Sequence, residues 1–129
     1  MILDTTVLIS AERTRSRLDA VMADDDDVAI AAVTVAELLV GVELATSRHR
    51  ARRATFVEGL LGTLTVEDYT ADTARSHAAL LVATRRDGRP RSAHDLIIAA
   101  TAVSTARILV TADDRGFDGL PRLEARVIR

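Results

Sequence analysis

Four acidic residues of this chain, Asp4, Glu37, Asp95 and Asp113, each stand where an apolar run meets hydroxyl residues or the start of a helix. Asp4 closes Met1-Ile2-Leu3 and is followed by Thr5 and Thr6; Glu37 comes three residues after Thr34. Asp95 comes three after Ser92 and directly after His94, and Asp113 two after Thr111. Carboxylates gathered in a dry site repel one another, so such a group needs a cation or partial protonation. Oxygen ligands without Cys or His select hard ions, Mg²⁺ or Mn²⁺. The hydroxyls of Thr5, Thr6 and Thr111 are candidates to hold water around the ion. Taken singly, each acid also has a plain structural role. Glu37 completes a capping box with Thr34, Asp95 is an acid favoured by the dipole of its helix, and Asp113 and Asp114 are turn residues.

The acids can meet only if the elements carrying them end on one rim. Met1-Ile2-Leu3 is apolar without polar alternation, as in a strand buried on both faces of a parallel sheet. Further strands are expected at residues 28–33, 64–67, 108–110 and 123–128, the last at an edge. Helices are expected at 7–13 and 16–22 with a break around Thr14, then at 34–45, 47–61 and 70–86, and behind the cap at Ser92. Thr5 and Thr6 are read as caps of the first helix, and Thr34 as the start of the third. Gly88 is read as the stop of the 70–86 helix, and Gly41, inside the 34–45 helix, as a point of close packing. Strands alternating with helices give an α/β fold, a parallel sheet of about five strands sandwiched by helices. All strand carboxyl ends, and the helix starts behind them, then share one edge, where open sheets bind their ligands.

Composition removes several other chemistries. The 129 residues are expected to form a single domain, and with 2% aromatic content Ala, Val, Leu and Ile must build its core. There is no Cys, hence no disulfide framework or thiolate metal site. All 17 basic residues are Arg, which excludes the P-loop and other chemistries that require Lys. No apolar run approaches membrane-spanning length, and a cytoplasmic protein is expected. The net charge of −2 carries no global nucleic-acid signature, so any such site is local. The acidic run at residues 24–27 reads as a solvated loop.

Asp4-Thr5-Thr6-Val7-Leu8, Thr34-Val35-Ala36-Glu37-Leu38, His94-Asp95-Leu96-Ile97-Ile98-Ala99 and Leu109-Val110-Thr111-Ala112-Asp113, with Phe117 shortly after, resemble the four signatures of PIN-domain ribonucleases. The chain is similar to the VapC toxins of bacterial toxin–antitoxin pairs, and the resemblance runs from Asp4 to Phe117. It implies Mg²⁺- or Mn²⁺-dependent cleavage of RNA, inhibition by a cognate small antitoxin, and a homodimer. It also implies that Asp4, Glu37, Asp95 and Asp113 are the catalytic metal ligands, with Thr6 a supporting hydroxyl beside Thr111. Asp114 is an alternative to Asp113. A short antitoxin helix is expected to dock near Val7, Leu8, Leu39 and Val40.

RNA contacts must come mainly from Arg. Arg48, Arg50, Arg52 and Arg53 form one cluster, and Arg85, Arg86, Arg89 and Arg91 a second that leads into Asp95; Arg13, Arg15 and Arg17 form a looser third. The second cluster is the expected RNA-binding set. Phe56, Tyr69 and Phe117 do not amount to a stacking platform, so phosphate and shape contacts are expected. Two other classes compete. His94-Asp95 is also the pair that names HD-type phosphohydrolases, with His49 or His77 as an upstream ligand, but that class is all-helical. A non-enzymatic acidic-pocket interaction domain would use the same acids only as caps.

Overall fold

The computed structural model describes residues 1–13, 15–23 and 27–128, with the side chains of residues 13, 15–17 and 21 outside that description. The expected break at Thr14, most of the acidic run and the Arg13–Arg15–Arg17 side chains therefore lie outside the described residues. Among those described, the chain runs β1 (Ile2–Leu3), α1 (Thr5–Arg13), α2 (Arg15–Ala23), β2 (Ala29–Ala31), α3 (Ala32–Glu43) and α4 (Ser47–Thr63). It continues with β3 (Thr65–Glu67), α5 (Ala71–Asp87), α6 (Ala93–Ser104), β4 (Leu109–Thr111) and β5 (Ala125–Val127).

The strands pair in parallel in the order β3-β2-β1-β4-β5. The three central strands are buried at every position, whereas β5 at the edge is exposed throughout. Alternation along the strands divides the core into two layers. Leu3, Ile30 and Val110 pack with residues of α1 to α4 such as Leu8, Leu38 and Leu60. Ile2, Ala29, Ala31 and Leu109 pack with Leu80 of α5, with α6, and with Phe117 and Leu120. On that second face Ala29 and Ala31 meet Ala99, Ala100 and Ala102, small residues that leave room for α6 against the sheet. Six α6 residues between Leu96 and Ala102 are buried, the largest such set of any helix. No helix among the described residues is long and apolar enough to cross a membrane.

This strand order places the site. From β1 the chain moves outward to β2 and β3, then returns to add β4 on the other side of β1. The switch point is thus between β1 and β4, where α/β sheets open a crevice at the strand carboxyl ends. Ile2 pairs with Leu109 and Leu3 with Val110, so Asp4 comes level with Thr111, and its amide donates to the Val110 carbonyl at 2.9 Å.

Several local expectations are corrected. α3 begins at Ala32 behind an N-cap, Ala31, that offers no side-chain bond, so Thr34 and Glu37 do not form a capping box. Thr5 and Thr6 lie inside the first turn of α1, and their hydroxyls turn to acids instead of capping amides. A Cβ built on Gly41 would meet nothing within 4 Å, so that glycine borders open space. Val7 and Leu8 are buried in the core and unavailable to a partner, whereas Leu39 and Val40 are exposed. The cap at Ser92 and the stop at Gly88 are as expected. The Ser92 hydroxyl accepts from the Asp95 amide, and Gly88 takes a left-handed φ of 69° while its amide closes on Thr84.

Candidate active site

Asp4 is the deepest acid, 2% exposed at the end of the central strand. A buried carboxylate is tolerable only if its oxygens are hydrogen-bonded. The hydroxyls of Thr6 and Thr111 both donate to Asp4 Oδ2, at 2.7 and 2.8 Å. Each hydroxyl in turn accepts a backbone amide from the loop after β4, Thr6 from Ala112 at 3.1 Å and Thr111 from Asp113 at 3.0 Å. Two chains of donors therefore run from that loop to one carboxylate oxygen, and the chained bonds strengthen one another.

Glu37 reaches the same rim from the second turn of α3. Its Oε1 accepts from the Thr5 hydroxyl at 3.0 Å, and Thr5 lies 3.4 Å from the hydroxyl of fully buried Thr34. Thr5 and Thr34, which look like caps in sequence, instead meet each other, and the Thr5 hydroxyl is shared between Glu37 and Thr34. His94 Nδ1 stands 3.6 Å from Glu37 Oε2, with 56% of its side chain exposed.

Asp95 and Asp113 meet across Gly116. A Cβ on that glycine would lie 2.7 Å from Asp113 Oδ2 and 3.3 Å from Asp95 Oδ2, so both carboxylates face its bare Cα. Asp113 Oδ1 also accepts the Arg115 amide at 3.0 Å, closing a tight turn. Burial pushes the Asp95 carboxyl up to about 6. The charges of Asp4, Asp113 and Glu37 add to the rise, and His94 opposes it. The other three expected acids are thus within electrostatic reach of Asp95, and Asp113 is the member of the Asp113–Asp114 pair whose charge acts on it. Their approach is nonetheless looser than expected from sequence. Among the described residues, no three Asp, Glu or His side chains close on a single point. The donor set is still that of a hard divalent cation, all carboxylate and hydroxyl oxygen. The raised Asp95 pKa comes first from burial and then from the charges of Asp4, Asp113 and Glu37, and it is the second part that such an ion would offset.

The arginines divide by what they touch. Arg91 is enclosed, with 3% of its side chain exposed, and its guanidinium binds the carbonyls of Arg115, Gly116 and Asp118. Arg89 donates to the Arg115 carbonyl and pairs with Asp118 at 2.7 Å. Arg85 and Arg86 are exposed in the last turn of α5, and Arg86 borders a 550 Å³ cavity with Arg89, Arg91 and Leu120. In the other cluster, Arg50 binds the carbonyls of Glu43 and Ala45, and Arg53 pairs with Glu12, both tying α4 to its neighbours. The HD-type reading fails here. The fold is a parallel sheet, and the upstream histidines are engaged elsewhere, His49 with Arg52 and His77 with Tyr69. Gly116, the Thr5–Thr34 contact and the enclosure of Arg91 were not foreseen from sequence; the pairing of Thr34 with Thr5 spans 29 positions and has no local signal.

Known proteins share this fold. The PIN domain family model matches residues 1–123. Ribonuclease VapC5 of Mycobacterium tuberculosis is 39% identical over 95% of this chain and 91% of its own length. The crystal structure of VapBC-5, a member of the VapBC family of toxin–antitoxin systems from the same organism, superposes with a TM-score of 0.80. It is 35% identical and covers 98% of this chain and 97% of that one. VapBC2 from Rickettsia felis, bound to a DNA fragment from its promoter, gives a TM-score of 0.90, covering 99% and 98% of the two chains. At 22% identity it speaks for the fold alone. With the family model spanning nearly its whole length, and a close relative aligned along almost all of it, the chain belongs to the PIN-domain family.

Proposed function

We propose that this chain is a divalent-metal-dependent endoribonuclease, the toxin of a type II toxin–antitoxin pair, with Asp4, Glu37, Asp95 and Asp113 as its catalytic acids. The observation that carries the reading is the pinned Asp4 at the sheet's switch point, whose charge, with those of Asp113 and Glu37, adds to burial in raising the Asp95 carboxyl. In this reading Asp4, Glu37 and Asp95 hold Mg²⁺ or Mn²⁺, and Asp113 completes the set. Held by these residues, such a cation would offset the charge of the scissile phosphate and acidify the attacking water.

The remaining work falls to the chain itself. Thr6 and Thr111 fix the plane of the Asp4 carboxylate, so its ligand geometry is set before the ion arrives. Thr5 does the same for Glu37 through the bond to Oε1. Below about pH 6 the raised pKa of Asp95 would let it carry a proton in the metal-free protein and release it when a cation binds. RNA is held through its phosphates by Arg85 and Arg86, with Arg89 at the margin of the same cavity; Arg91 was grouped with them in sequence, but its donors are already engaged.

The partner is carried over from the VapBC relatives. A groove of about 140 Å³ between α1, α3 and α4, lined by Ile9, Leu38, Gly41, Phe56 and Val57, opens beside Glu37. An antitoxin segment docks there and reaches the acids; the space left by Gly41 serves that purpose. A cytoplasmic homodimer is part of the same proposal. Purified protein incubated with an RNA pool, with Mn²⁺ or with EDTA, tests the activity. Metal-dependent cuts at reproducible positions support it, and an intact pool under both conditions refutes it.

A further inference from the structure

We infer that Arg91 is a positioning residue that sets the distance between the Asp95 and Asp113 carboxylates through the loop at residues 115–118, an inference that rests on those acids forming the cation site. Its guanidinium is almost wholly enclosed, which a residue meant for solvent or for RNA would not be. Nη1 donates to the Arg115 carbonyl at 3.1 Å and to the Gly116 carbonyl at 3.0 Å, and it lies 3.5 Å from Asp118 Oδ1. Nη2 donates to the Asp118 carbonyl. Three backbone acceptors within four residues are thus gathered on one planar, rigid group.

The middle acceptor belongs to Gly116, whose opposite side faces the acids. The guanidinium holds the Gly116 peptide, and the Gly116 Cα is the surface on which both carboxylates rest. A shift of that peptide by a few tenths of an ångström changes the space between Asp113 Oδ2 and Asp95 Oδ2 by a similar amount. Phe117, buried against α6, anchors the far end of the same planar peptide, and the guanidinium fixes its carbonyl oxygen. Arg89 grips the same loop from the solvent side, with 40% of its side chain exposed, and is the weaker restraint. The link also runs through sequence: Arg91 lies four residues before Asp95, so one short segment carries both an acid and the arginine that places its counterpart.

Lys at this position supplies a single ammonium and cannot span three carbonyls, so Arg91→Lys should retain only part of the effect. The test is Mn²⁺ affinity, read from the free-ion electron paramagnetic resonance signal well below each protein's melting temperature. The proteins compared are wild type, Arg91→Met, Arg91→Lys, Gly116→Ala and Asp113→Asn, and Arg91→Met combined with Asp113→Asn. Loss of a group that orients a ligand weakens metal affinity by roughly 10- to 100-fold. Arg91→Met should fall in that range and Arg91→Lys between it and wild type. Gly116→Ala keeps the arginine but pushes a methyl group against the Asp113 carboxylate, and it should weaken binding too, even if Arg91→Met fails to fold. Once Asp113→Asn has removed the charge being placed, adding Arg91→Met should cost less than about a further twofold, because residues acting through one another are not additive. Wild-type affinity in the Arg91 variants, or fully additive losses in the double variant, overturns the inference while leaving the acid site intact. A wild-type protein that binds no Mn²⁺ overturns the site reading, and this inference with it.

Discussion

Asp95→Asn separates a repelled ligand from a helix-stabilising acid. The Asp95 carboxyl is pushed from 3.8 to about 6, first by burial and then by Asp4, Asp113 and Glu37. Two units correspond to a ceiling of roughly 3 kcal/mol. The group is about half exposed and its field is screened, so about 1 kcal/mol is the realistic share. A carboxyl whose folded pKa is raised contributes stability that is present below its unfolded pKa, near 4, and lost as pH rises through about 6. Metal-free wild type should therefore lose ground to Asp95→Asn between pH 4 and pH 7. A relative gain of about 1 kcal/mol moves the melting temperature by roughly 3–6 °C for a domain of this size. The Ser92 cap survives the substitution, because it uses the Asp95 backbone amide. Calorimetry in EDTA across that pH range measures the difference. An acid stabilised by the helix dipole has a lowered pKa, so wild type would instead gain on the variant as pH rises. A difference that moves in that direction refutes the reasoning.

Mn²⁺ at a hundredfold excess over its Kd should stabilise wild type by about 2.7 kcal/mol, a rise of very roughly 5–12 °C, and Asp4→Asn or Asp95→Asn should respond less in the same thermal scan. Thr5→Val removes the donor to Glu37 and leaves Thr34 without its neighbour; we expect a loss of about 1–2 kcal/mol by denaturant titration and a fall in kcat of at least about tenfold. Arg85→Ala and Arg86→Ala should each lower the salt slope of RNA binding by about one unit or somewhat less. Unchanged slopes would return both residues to a solvated helix face.

What could be read from the sequence was what repeats locally. The apolar runs of β1, β2 and β4, the cap at Ser92 and the stop at Gly88 are short-range signals, and they brought the four acids to one rim. The failures share a physical origin in contacts between distant segments. Thr34-Val35-Ala36-Glu37 has capping-box spacing, yet Thr34 is drawn inward to meet Thr5, and the helix starts at Ala32 without a side-chain cap. Arg89 and Arg91 look like any exposed basic run until residues 115–118 fold back to supply carbonyl acceptors. Gly116 and Gly41 are indistinguishable in sequence as flexible points. In the fold one is pressed against two carboxylates, and the other borders open space.

The most direct test of the central claim is single-turnover cleavage of an end-labelled RNA, chosen from the mapped cuts, by wild type and by Asp4→Asn in millimolar Mn²⁺. Both proteins should first show native circular dichroism spectra. Asp4 is the acid that two threonines and two backbone amides combine to orient. The account predicts cleavage by wild type that EDTA abolishes, and a loss of at least about a thousandfold in Asp4→Asn, the scale of removing a principal electrostatic contributor. Metal-dependent cleavage by Asp4→Asn at the wild-type rate would contradict it, because the reaction would then take place somewhere other than the end of the central strand.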